Sequence, residues 1–451
     1  MFTVDPDDAD LKVGTESMLG KDLTYLNNAV NKVISNPKSP NDLHTTGFLM
    51  SNAPLATAPG NTNDPTTAVA KTLVKINSDN IKGTEAEAAM NPAANIYVER
   101  AVAKVTLTAE NGETTSGNKK ASYEILGWML DNTNKTSKLV RTVDGFDTWK
   151  SYMSNGTSNH RFIGDARVGT DVTGTESYYR IYWGDDYNYG TTDPAQPSDY
   201  FTTIGGAAPT SGFLGANGTT PAYCFENTMD MTNMLEQNAT RVIIAAKFNG
   251  GKDFYVIDGD KETYWTEDDL KAEIAARVLI DPNIYDWAKK NVEGTLTSSD
   301  LVITLTKEDA GIRTVESVGL ADNVSVTGTT PFPADDAKKI ANNTNIEFYA
   351  GGISYYSAWI KHFGNDLTPW NDNETDKPSV GNIYPGSDNN YLGRYSVLRN
   401  NWYDMTVTGI KTLGSPVVEE VTGETIDKLY SYISVEINVL SWAKRSQNVE
   451  L

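Results

Sequence analysis

Ile433-Ser434-Val435-Glu436-Ile437-Asn438-Val439 is the stretch on which the fold reading turns. Apolar β-branched residues alternate with polar ones at strict period two, the pattern of a strand with one buried face. It follows the Glu/Thr-rich segment 415–430 and precedes Trp442 and the terminal Val449-Glu450-Leu451. An amphipathic strand on a polar tether must bury its apolar face somewhere. Two placements are open: the last strand of the chain's own sheet, or a strand donated to another molecule. In the second case Ile433, Val435, Ile437 and Val439 form the inserted row. Trp442 breaks the parity and covers the groove edge or turns the chain, while Val449 and Leu451 anchor the end.

Upstream, the same period recurs. Residues 95–108 carry Ile96, Val98, Val102, Val105 and Leu107 among charged residues, and 123–130 follows across a Gly/Asn/Lys turn as its expected hairpin partner. Residues 241–248 and 253–257 read as strands around the turn Asn249-Gly250-Gly251. Further strands are expected at 301–306, 346–350, 354–360 and 403–410, with shorter candidates at 47–50 and 72–76. Helical spacing is rarer. Leu23, Leu26, Val30 and Val33 predict a helix over 22–35. Thr266, with Asp269 three residues on, caps another over 266–277, and 282–291 extends it. The Gly/Asn/Tyr/Asp-rich region 154–217 lacks periodicity, which places a domain boundary at about residue 205. The expectation is a mainly β protein with a few short helices: one β-domain over 1–205, a second over 206–430, and a terminal strand over 431–451.

Composition narrows the partners. The net charge of −21, from 59 acidic and 38 basic residues, excludes a phosphate-binding surface for nucleic acid. Cys224 is the only cysteine, so no internal disulfide forms. No stretch reaches the ~18 apolar residues of a membrane helix, and no signal peptide is recognisable.

Candidate chemistry is sparse. His44, His160 and His362 are isolated and read as loop or surface residues without metal spacing. Cys224 lies among aromatic residues with no nearby histidine, which suits a buried structural thiol better than a nucleophile. Asp185-Asp186 and Asp258-Gly259-Asp260 offer hard oxygens to calcium, but neither fits the EF-hand spacing and both read as solvated turns. Tyr182, Trp183, Tyr187 and Tyr189 could stack on sugars, or pack a long loop onto a domain. Asn134-Lys135-Thr136 matches a glycosylation sequon. No cofactor, metal or catalytic constellation is expected. Three readings compete: a polymerising structural subunit, a carbohydrate- or protein-binding adhesin, and a secreted β-rich glycosidase with paired carboxylates.

Four segments resemble the type V pilins (fimbrillins) of the Bacteroidales, most of all the major stalk subunits of short fimbriae. They are Val98-Glu99-Arg100-Ala101-Val102-Ala103-Lys104-Val105, then Tyr223-Cys224-Phe225-Glu226-Asn227, then Val397-Leu398-Arg399-Asn400-Asn401-Trp402-Tyr403 running on to Leu413-Gly414, and last Ser434–Trp442 with the terminal Val449-Glu450-Leu451. They stand in the family order. The resemblance implies two tandem transthyretin-like β-sandwich domains and a C-terminal donor strand that fills a groove in the neighbouring subunit. It further implies a fimbrial subunit at the cell surface, exported through the outer membrane as a lipoprotein precursor and cleaved at an arginine. Such a subunit supports adhesion and biofilm formation, and its partners are copies of itself with anchor and tip proteins. A lipid-accepting cysteine and the strand that the family carries before its first helix are not recognisable, so a processed chain is expected.

Overall fold

The computed structural model describes residues 2–4, 11–13, 16–17, 21, 50–53, 55–56, 77–90, 98–138, 167–170, 177–180, 184–189, 197–229, 233–307, 309–362, 395–424, 426 and 433–440. The strand Val102–Thr108 (β1) sends Ala103, Val105 and Leu107 into a buried cluster, as its alternation predicts. Gly112–Glu113 (β2) and Ser122–Asp131 (β3) follow. Ala222–Phe225 (β4), Arg241–Lys247 (β5) and Phe254–Ile257 (β6) come next. Ile353–Trp359 (β7), Trp402–Ile410 (β8) and Ile433–Leu440 (β9) complete the principal strands.

Two four-stranded sheets result, in the orders β4-β1-β8-β9 and β7-β5-β3-β2. Between them lies the main core. Val105 and Leu107 of β1, Cys224 of β4, and Tyr403, Met405 and Ile410 of β8 meet Trp128 of β3, Val242 and Ile244 of β5, and Tyr356 of β7. Each such side chain contributes roughly 1.5–3 kcal/mol on burial, which is what holds the sheets face to face. β5 is apolar without alternation because both of its faces are covered: Ile243 and Ala245 pack with Ile353, Tyr355 and Val418 on the side away from the main core.

This architecture corrects two expectations. β1 and β3 are not a hairpin; they belong to opposite sheets, and only the short β2 pairs with β3, Gly112 opposite Tyr123. The connecting chain is diverted by hydrogen bonds from Thr115 N to Ile410 O and from Ser116 N to Lys411 O, each 2.9 Å. Nor does a boundary near residue 205 divide the sheets. β1 pairs with β4, and β3 with β5, so each sheet draws strands from both sides of that point. Chain just after the expected boundary is bonded to the sandwich, with Trp128 and Leu214 exchanging backbone bonds of 3.0 and 2.8 Å.

A lobe of sheet and helix is inserted between β5 and β7. It holds a three-stranded sheet of β6, Ile346–Tyr349 and Gly311–Arg313, and a two-stranded one of Leu301–Leu305 and Val315–Leu320. Helices Glu267–Leu279 (α1), Pro282–Asn291 (α2) and Ala334–Ala341 (α3) cover them. Thr266 caps α1, accepting from Asp269 N at 3.2 Å, as the sequence predicts. Leu270, Ile274, Val278, Leu301, Ile303 and Phe348 form the lobe's own core.

Asn249-Gly250-Gly251 is a bend rather than a reversal. β5 pairs with β7, and β6 with Ile346–Tyr349, so one long antiparallel ladder continues through it. The opposite strand bends at Ala350-Gly351-Gly352, where Gly352 has φ +66° and a Cβ would lie 2.3 Å from Phe248 O. Only glycine fits there. Near the N-terminus, Phe2–Val4 pairs with Leu11–Val13, so strands do precede residue 22. The helix expected over 22–35 and the strand expected over 72–76 lie outside the described residues.

Candidate functional site: the sheet that carries the C-terminal strand

β4, β1, β8 and β9 are the four segments singled out by resemblance, and they assemble into a single sheet. β1 and β8 pair in parallel, Lys104 opposite Trp402 and Leu107 opposite Met405. β9 lies antiparallel on the free side of β8 as the edge strand. Its backbone register sets Ile433 opposite Ile410, Val435 opposite Val407, Ile437 opposite Met405 and Val439 opposite Tyr403. Those four β8 partners are all buried on the core side. Directly opposed residues share a face, so the row Ile433, Val435, Ile437 and Val439 takes the core-side positions of the sheet. Glu436 and Asn438 stand opposite Thr406 and Asp404 on the other face.

Polar contacts fix β8 before β9 is added. Tyr403 OH accepts from Leu398 N and bonds His362 Nδ1, each at 2.8 Å. On the outer face Lys104 Nζ sits 3.7 Å over the Trp402 ring. Trp402 Nε1 donates to Thr106 Oγ1 at 2.8 Å, and that hydroxyl donates to Asp404 Oδ1 at 2.7 Å.

The loop into β8 is tied to β4. Asn227 and Val397 exchange backbone bonds of 2.7 and 2.8 Å. Glu226 and Arg399 are fully buried, with Arg399 Nε 3.3 Å from Glu226 Oε1 and Arg399 N donating to Glu226 Oε2 at 3.1 Å. Arg399 also donates to Ser137 Oγ and Lys138 O, and Asn400 N donates to Val102 O at 2.9 Å. A buried charge in this setting requires its partner. Nothing in the spacing of Glu226 and Arg399 predicts the pair; only a charge within an otherwise apolar segment hints at one.

The match to known proteins takes in two strands of this sheet. Residues 347–448 fit the family model for the major fimbrial subunit protein type IV, fimbrillin, C-terminal. In this segment the chain is similar to the fimbrillins. No curated protein matches the chain. Among solved structures, a candidate cell adhesion protein from Parabacteroides distasonis is similar at 11% identity and a TM-score of 0.23, over 78% of this chain and 60% of that one. A fimbrilin from Porphyromonas gingivalis is similar at 13% identity and a TM-score of 0.25, over 78% of this chain and 61% of that one. The chain thus spans about three-fifths of each, and agreement at this level carries no inference about its fold.

The fimbrillin region includes β7, β8 and β9, so it takes in strands from both sheets. Of the residues expected at the polymerisation strand, the structure places Ile433, Val435, Ile437 and Val439 in one register row; Trp442, Val449 and Leu451 lie outside the described residues. Cys224 faces the main core, where burial pushes its thiol up to about 12. His362 is a correction: it is buried against Tyr403 rather than at the surface, because it satisfies that hydroxyl. His44, His160, Tyr182 and Trp183 lie outside the described residues. Tyr187 is half exposed.

The two acidic turns part company. Asp258 is in a surface turn, where its hydrogen bond from Arg277 holds the carboxyl below its usual range. Asp186 is buried, which corrects the reading of a solvated turn. Its Oδ1 accepts from Asn188 N at 2.7 Å, and its Oδ2 accepts from Asn134 Nδ2 at 2.7 Å and Thr228 N at 2.8 Å. Burial pushes this carboxyl up to about 7; neighbouring Glu226 adds to the rise, and the three hydrogen bonds oppose it. Asn134, from the sequon, is fully buried in the same cluster and donates to Glu226 O at 2.6 Å. Among the described residues no group of three or more His, Cys, Asp or Glu is placed to hold a metal, and no helix is long and apolar enough to cross a membrane.

Proposed function

We propose that this chain is a structural subunit of a cell-surface fimbrium and that β9 joins one subunit to the next. The carrying observation is the position of β9: among the described residues it is the edge strand of its sheet, with its apolar row in register with the core-side row of β8. An edge strand can be exchanged while the rest of its sheet stays paired, and the β8 edge it vacates offers unpaired backbone groups to an identical strand from a neighbour. Exchange between copies then repeats head to tail and builds a filament. On this reading the subunit is a non-enzymatic stalk component, and anchor and tip proteins are its other partners. The N-terminal part of the chain supplies a second β-domain. Leu55–Ala56 pairs with Ser177–Arg180, so that unit takes in chain from both before β1 and after β3.

Electron microscopy of the purified chain, with and without residues 431–451, tests the reading. Filaments are expected only from the chain that keeps them. A synthetic peptide of 431–451 should bind the truncated protein and raise its melting temperature. Filaments from the truncated chain would overturn the proposal.

A further inference from the structure

Among the described residues, the cluster around Asp186 holds more negative charge than its side chains balance. Asp186 and Glu226 are both buried, at 1% and 0% exposure. Arg399 stands beside Glu226, whereas the hydrogen bonds to the Asp186 carboxylate come from neutral amides. Placing an ionised carboxylate in low dielectric without a counter-charge is costly, and either a proton or a cation must relieve it.

A second observation favours the cation. Asn188, only 8% exposed, turns into the same cluster: its N donates to Asp186 Oδ1, and its Nδ2 donates to Asn134 Oδ1 at 2.8 Å. Its own Oδ1 has no hydrogen-bond partner. Protonating Asp186 supplies one hydrogen to a carboxyl already surrounded by donors. A metal ion accepts lone pairs from the carboxylate and the orphaned carbonyl together. The oxygens are hard, and an Asp-x-Asn turn backed by a second amide suits a flexible oxygen shell better than the tight octahedron of magnesium.

We propose that Asp186, Asn188 and Asn134 bind a calcium ion in the turn 184–189, with backbone oxygens and water completing the shell. The ion would lock this turn to Thr228, whose N and Oγ1 both bond Asp186, and through Asn134 to Glu226 at the end of β4. The inference is independent of the fimbrial reading, since it concerns the fold of the monomer.

Thermal melting of the full chain after chelation, at neutral pH with and without millimolar calcium or magnesium, is the test. Calcium should raise Tm by about 5 °C near saturation, and magnesium should do less. Terbium should luminesce on excitation of tyrosine, with Tyr187 in the turn as sensitiser, and calcium should quench the signal by displacing it. Asp186→Asn should abolish both responses. Asn188→Ala, which keeps the carboxylate, should weaken calcium binding at least tenfold and decides the matter if the first variant does not fold. No calcium shift in the parent overturns the site, as does an undiminished shift in Asn188→Ala. A parent that gains stability only on acidification from pH 8 to pH 5, with no calcium response, would assign the neutralisation to a proton.

Discussion

The two sheets of the sandwich hold their strands in different ways. β5 lies in the middle of its sheet, between β7 and β3, with both faces covered. It is further pinned at its first residue. Arg241 is buried, with Nη2 2.7 Å from Asp131 Oδ2, Nη1 donating to Ser357 Oγ at 3.1 Å, and Nη2 also bonded to Glu419 O. Among the described residues β9 pairs with one strand only, and its ladder on β8 shifts register between Val407 and Gly409. A strand locked from both sides and from its end cannot leave without unfolding the sheet. An edge strand can be lifted off while the rest of its sheet stays paired. On the proposed reading, permanence and exchangeability coexist in one sandwich, distributed between opposite sheets.

The sharpest way to break this contrast is at the lock. Arg241→Ala leaves Asp131 buried without its counter-charge and should cost about 3–5 kcal/mol in urea unfolding. Pairing Arg241→Met with Asp131→Leu should recover much of that loss; failure to recover would show that Arg241 acts by packing. On the exchangeable side, Ile437→Asp places a charge at a core-side position of the edge strand. Filament assembly should stop, and the monomer should lose roughly 1.5–3 kcal/mol, the worth of one apolar side chain at that position. A full loss of stability with unchanged filaments would make β9 as permanent as β5.

Smaller effects refine the picture. Gly352→Ala forces a methyl to within 2.3 Å of Phe248 O at φ +66° and should destabilise by about 1–3 kcal/mol without touching assembly. Glu436→Lys, opposite Thr406 on the outer face, should stay within about 0.5 kcal/mol and leave filaments intact. If it matches Ile437→Asp, the inserted face has been misassigned.

Period-two alternation made β1 and β8 legible, including which residues face inward, and β9 as a strand, because a one-residue slip would turn each apolar row to water. Alternation does not say which strand lies alongside. The parallel pairing of β1 with β8 and the separation of β1 from β3 depend on how whole faces fit together, and no local pattern records that. Asn249-Gly250-Gly251 looks the same in sequence whether the chain reverses or bends; only the matching Ala350-Gly351-Gly352 on the opposite strand decides it. Asp185-Asp186-Tyr187-Asn188 carries ordinary turn chemistry, and turn chemistry is silent about whether the turn faces solvent or interior. Glu226 and Arg399 escaped notice for the same reason that Asp131 and Arg241 did. Buried charges find each other across the fold, far apart along the chain.

The parallel pairing of β1 with β8 has a consequence for how the molecule is made. Thr106 and Asp404, joined side by side, are 298 residues apart. During synthesis β1 appears early, and its strand partner β8 arrives only when most of the chain has emerged. Until then β1 presents an open edge with a row of apolar residues beneath it, the kind of surface on which unfinished chains aggregate. Closing so long a loop is also slow. Completion of this sheet therefore waits for β8, and the early strands need shielding until it emerges.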